Sequence, residues 1–88
     1  MLLERGTDYL QTGDFPAARL VLRRAADAGS AQAALALGAT YDPFLFRELG
    51  VLGFVPDPTE ARAWYERAGQ LGSPEAAPRI SRLARIRQ

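Results

Sequence analysis

Small and apolar residues return every three to four positions along most of this chain, which is the period of a helix packed on one face. Ala18, Val21/Leu22 and Ala25 make one such stripe, and Ala61, Trp64/Tyr65 and Ala68 make another. Leu2, Leu3 and Leu10 begin an amphipathic segment at the start of the chain, and Ala76, Ile80, Leu83 and Ala84 form a stripe near its end. The punctuation agrees with this pattern. Gly29 and Gly72 stand where a helix end favours a residue that tolerates positive φ, and Ser30 and Ser73 follow as N-caps. Pro74 then takes a first helical position, where its missing N–H costs nothing. Asp57-Pro58-Thr59-Glu60 reads as a capping box, and Asp42-Pro43 repeats that kind of start before Phe44–Leu49, with Gly50 as a stop. The pattern predicts helices over 2–12, 15–28, 31–41, 43–49, 58–71 and 74–87, with no strand.

The chain also resembles itself. Asp14–Ala34 and Asp57–Ala77 align at an offset of 43 with nine of 21 positions identical, including Asp14/Asp57, Arg19/Arg62, Gly29/Gly72 and Ser30/Ser73. A second offset, of 32, pairs Leu3, Gly6 and Tyr9 with Leu35, Gly38 and Tyr41. The difference between the offsets is an insertion of about 11 residues within Asp42–Pro56. The expected architecture is therefore all-α: a short right-handed α-solenoid of antiparallel helix pairs. Unit one would span 1–30, unit two 31–73 with its insertion at 42–56, and a capping helix 74–88.

On these residues the chain resembles the tetratricopeptide-like helical repeats, and among them the Sel-one-like subfamily. In unit one Gly6, Tyr9, Gly13, Ala18, Leu22 and Ala25 stand at the small, aromatic and packing positions of that pattern. Leu37, Gly38, Tyr41, Ala61, Tyr65 and Ala68 do so in unit two, once the insertion is passed over. Gly53-Phe54-Val55-Pro56-Asp57, with Ala61 and Trp64–Ala68, looks like the loop and second helix of a Sel-one-like unit. The likeness departs at Ala34, where the tetratricopeptide pattern often has tryptophan, and at the apolar insertion. The resemblance implies close helix pairs with small residues at 6, 18, 25, 38, 61 and 68, and a concave groove that binds peptides or protein surfaces. Thr7, Gln11, Gln32, Leu35, Ala39, Asp42, Glu75, Arg79 and Arg82 would line that groove.

Composition narrows the chemistry. All 11 basic residues are arginine, and the chain has no lysine, histidine or cysteine. It therefore has no imidazole base, no thiol nucleophile, no Schiff-base lysine and no ordinary transition-metal site. With Ser30 and Ser73 read as caps, the chain is not expected to be an enzyme, and no cofactor is implied. A net charge of +1 gives no strong field toward nucleic acid or membrane. Arg79, Arg82, Arg85 and Arg87 leave the last helix basic, but without interleaved aromatics they are a poor nucleic-acid footprint. No apolar run suits a membrane span, and the first residues lack a signal-peptide pattern. Sixteen alanines and the all-arginine basic set match the codon bias of a GC-rich bacterium.

The insertion is the most unusual segment: eight of its 15 residues are large and apolar. Phe44, Leu45 and Leu49 are expected to pack on the 58–71 helix, leaving Phe46, Leu52 and Phe54 as a docking surface. The expected function is a non-catalytic scaffold or adaptor that binds a protein or peptide through the groove, the insertion or both. Two alternatives are a structural C-terminal cap of a longer repeat array and an anion-responsive regulator using the last arginines. Because repeats are stable by stacking, the first helix is expected to be covered by a longer chain or by a second copy in a homodimer.

Overall fold

The computed structural model describes residues 14–51 and 53–86, and every regular element among them is a helix. They are α1 (Phe15–Asp27), α2 (Ala31–Ala39), α3 (Pro43–Leu49), α4 (Pro58–Gln70) and α5 (Ala76–Leu83). The expected 2–12 helix, together with Thr7, Gln11 and Leu52, lies outside the described residues.

The helix ends follow the sequence punctuation. Asp14 caps α1 by accepting from the Ala17 N–H at 3.2 Å, and Asp57 caps α4 by accepting from Glu60 at 3.1 Å. Ser30 caps α2 through the Ala33 N–H at 3.1 Å. At its far end α1 closes with Ser30 N–H donating to Ala25 O and Gly29 N–H to Ala26 O, with Gly29 at φ 98°. In α4, Ser73 donates to Ala68 O and Gly72 to Gly69 O, with Gly72 at φ 105°. These are Schellman closures 43 residues apart. The bounds of α1 and α4 are 43 residues apart as well.

The last helix departs from expectation. It starts at Ala76, not 74, and Ser73 does not cap it; Glu75 holds the N-cap position without a side-chain cap bond. Pro78 gives the reason. A helix begun at 74 would put the Pro78 ring against the Pro74 carbonyl and leave that carbonyl without a donor. Starting at 76 keeps Pro78 within the first turn, where no N–H is needed.

Packing runs α1 on α2, α2 on α4, and α4 on α5. Helix α2 is apolar nearly all round because it is sandwiched between α1 and α4. The core is built on small residues: Ala18, Ala25 and Ala26 of α1, Ala33 and Ala34 of α2, Ala61 and Ala68 of α4, and Ala76 of α5. Leu22, Leu37 and Tyr65 are fully buried among them, and Leu35 and Leu83 nearly so. The tightest approach is between α2 and α4. A Cβ on Gly38 would lie 2.6 Å from Tyr65 Cδ1 and 3.1 Å from the Ala61 carbonyl oxygen. Glycine there lets the Cδ1–Cε1 edge of the Tyr65 ring come close to the α2 backbone.

Candidate functional site

The insertion leaves the chain between α2 and α4 and is pinched at its base. The Asp57 N–H donates to the Tyr41 carbonyl at 2.9 Å, so the ends of the 42–56 excursion are neighbours, as in an Ω-loop. Within it, Asp42 caps α3 by accepting from Phe44 N–H at 2.8 Å. Gly50 at φ 66° turns the chain, and Val51 N–H closes onto Phe46 O at 2.9 Å.

Which apolar residues are buried differs from the expectation. Phe46 is only 6% exposed, with its ring centroid 5.5 Å from that of Phe15, so it is not a surface residue. The Phe54 ring centroid lies 4.8 Å from that of Phe15, and Phe54 is 37% exposed. Leu49, expected in the core, is 75% exposed, and Val55 is 87% exposed. Phe15 at the start of α1 supplies a ring surface that the chain's periodicity does not reveal, whereas Leu49, the last residue of α3, finds no such surface. Phe44 is partly buried against the core, beneath Arg82 of α5.

Asp42 is also not where the groove reading put it. It is fully buried, and both carboxylate oxygens are in use: Oδ1 on Phe44 N–H, and Oδ2 accepting from the Tyr65 hydroxyl at 2.6 Å. Its role is to join α3 to α4 beneath the surface. Burial raises the Tyr65 hydroxyl well above its ordinary pKa; the hydrogen bond to Asp42 and the carboxylate's charge push the same way, and Arg79 opposes them. Tyr65 therefore stays a neutral donor across the whole physiological range.

Arg82 and Arg79 reach this cluster from α5. Arg82 Nη1 donates to Glu48 at 2.7 Å, its Nη2 lies 4.0 Å from Asp42, and its guanidinium covers the Phe44 ring at 4.7 Å. Arg79 pairs loosely with Glu75 at 3.8 Å and lies 5.6 Å from the Tyr65 ring centroid. Leu45, Glu48, Pro78, Arg79 and Arg82 line an open cleft of about 340 Å³ between α3 and α5. Of the residues expected to bind a partner, Asp42, Arg79 and Arg82 thus come together. Gln32 is exposed on α2 and enters none of these contacts.

A second arginine cluster was not foreseen. Arg19 of α1 donates through Nε to Thr40 Oγ1 at 3.0 Å and through Nη2 to the Thr40 carbonyl, with its guanidinium 3.8 Å from the Tyr41 ring centroid. A cation at a helix C-terminus, stacked on an aromatic ring, is favourable on both counts. The 43-residue internal repeat marks the Arg19 and Arg62 positions as equivalent but does not mark their partners.

Among the described residues, no group of three or more acidic, histidine or cysteine side chains could hold a metal, and no helix is long and apolar enough to cross a membrane. The chain matches no family model, no curated protein and no solved structure.

Proposed function

We propose that this chain is a non-catalytic scaffold or adaptor module that binds a protein or peptide surface. In this reading its helices form a short right-handed α-solenoid of tetratricopeptide-like, Sel-one-like pairs. The supporting observation is an insertion that presents Leu49, Val55 and part of Phe54 to solvent while being fixed from both sides. Phe46 anchors it on Phe15, and Arg82 clasps it through Glu48. Apolar anchors held on a rigid support lose little conformational freedom on binding, which favours their use as contacts. Gln32 and the half-buried Arg79 supply polar positions outside the insertion.

The test replaces Leu49 and Val55 together by aspartate. Both side chains are mostly in water, so the fold should melt as the parent does. Quantitative affinity capture should then lose a defined set of proteins that the parent and an Arg47→Gln control both retain. If the double variant captures the same proteins to the same extent, the insertion is not the contact. The anion-responsive alternative has less support, because Arg79 and Arg82 already face Glu75 and Glu48. A closing role in a longer array is the remaining alternative; it expects capture of the parent chain alone.

A further inference from the structure

The 43-residue correspondence allows the two halves of the molecule to be compared site by site. In the first half, the space at the start of α1 and the end of α2 is filled. Tyr41 stacks on Arg19, and Phe46 and Phe54 cover Phe15. In the second half, the corresponding space is an open cleft of about 320 Å³ lined by Pro58, Thr59, Arg62, Leu83, Ala84 and Ile86. At the same offset, Pro58 stands in the place of Phe15, Arg62 in that of Arg19 and Ala84 in that of Tyr41. The arginine is kept, but the ring that would lie on it is replaced by a methyl group.

The electrostatics differ in the same way. Arg19 donates to a hydroxyl and a carbonyl and lies against a ring. Arg62 makes a loose pair with Glu66, Nε to Oε1 at 3.7 Å, with both side chains more than half exposed. A pair of that kind holds the guanidinium weakly and leaves its face available to a ring.

We infer that this cleft takes an aromatic side chain of a partner segment, seated on Arg62 as Tyr41 is seated on Arg19, between Pro58 and the Ala84–Ile86 end of α5. The occupant is specified by its counterpart within the same molecule: a phenylalanine- or tyrosine-bearing turn, with a carbonyl or carboxylate acceptor in reach of the guanidinium. This site is distinct from the insertion and does not depend on Leu49 or Val55.

The probe is the chain's own covering segment, a synthetic peptide of residues 41–56 that includes Tyr41, titrated into the full ¹⁵N-labelled chain. Amide shifts are expected at Thr59, Arg62, Ala84 and Ile86, and a peptide with Tyr41 and all three phenylalanines replaced by alanine should not produce them. Ala84→Tyr rebuilds the missing ring from within, on an exposed position, and should weaken binding about tenfold or more by occupying the cleft. Arg62→Ala, also on an exposed side chain, should weaken it about two- to fivefold. The Leu49→Asp/Val55→Asp chain should bind the peptide as the parent does, which separates this site from the proposed contact on the insertion. Absence of shifts at millimolar peptide, shifts confined to Phe15 and Arg19, or undiminished binding by Ala84→Tyr would each overturn the inference. Concentration-dependent shifts at the same amides without peptide would overturn the assignment to a separate partner and give the cleft to a second copy of the chain.

Discussion

Replacing Gly38 by alanine isolates the contact on which the α2–α4 packing depends. Helix propensity alone favours the change by about 1 kcal/mol, since glycine is a poor helix interior residue. Packing opposes it. The new methyl would lie 2.6 and 2.7 Å from Tyr65 Cδ1 and Cε1 and 3.1 Å from the Ala61 carbonyl oxygen. The ring has little room to retreat, because Tyr65 is fully buried and its hydroxyl is tied to Asp42 at 2.6 Å. Relief must come from moving α4 away from α2, and overpacking of this kind costs about 1–3 kcal/mol. With the contact at the upper end of that range, the net loss should be about 1–2 kcal/mol. For a domain of this size that lowers the melting temperature by about 4–16 °C. Gly69 is the control: a Cβ there meets only Ala76 Cβ at an ordinary 3.5 Å. Gly69→Ala should therefore gain about 0.5–1 kcal/mol from the same propensity term. Thermal and urea unfolding followed by circular dichroism at 222 nm measure both variants. A Gly38→Ala protein that melts at or above the parent would refute the argument that close approach requires glycine at this position.

Three further predictions follow from the polar clusters. Arg19→Lys loses the two-pronged bond to Thr40 and the stack on Tyr41, and should cost about 1–2 kcal/mol by urea unfolding; Arg62→Lys, at the corresponding exposed position, should stay within about 0.5 kcal/mol, and equal costs would refute the distinction. Tyr65 is neutral when protonated and its pKa is raised by folding, so its contribution is complete below the unfolded value of 10.0 and is lost as pH rises above it. Tyr65→Phe should be less stable by about 1–3 kcal/mol at pH 7, where buried Asp42 loses its donor, and the gap to the parent should narrow above pH 10; urea midpoints from pH 7 to 11 would count against this if the gap stayed constant or widened. Arg82→Met should speed hydrogen exchange at the Phe46 and Val51 amides by about two- to fivefold, the worth of a half-exposed pair; exchange at the α2 amides should not change, and a uniform increase would mean that α3 is part of the core's cooperative unit.

The helices and most of their ends were legible in the sequence because they depend on local chemistry. An aspartate or serine that accepts from an N–H three residues on, and a glycine that can take positive φ, act within a single turn of chain. The same holds for the 43-residue correspondence, which reappears in the bounds and closures of α1 and α4. The start of α5 is legible too: Ser73-Pro74 resembles a helix start, but Pro78 is incompatible with a helix begun at 74. What the sequence left open were pairings across the fold. Periodicity marks Tyr65 as a packing residue, but its hydroxyl finds Asp42 because α2 and α4 meet at Gly38. Nothing local marks Asp42 as buried, since a cap and a groove residue look alike until a second element covers one of them. Phe46 and Leu49 are equally apolar, and only the position of Phe15 decides that the first is covered and the second is not. Arg19 and Arg62 occupy corresponding positions, yet one is bound by Thr40 and Tyr41 and the other faces an open cleft. Local order is specified residue by residue, whereas burial and partnership belong to surfaces that exist only after distant segments have packed.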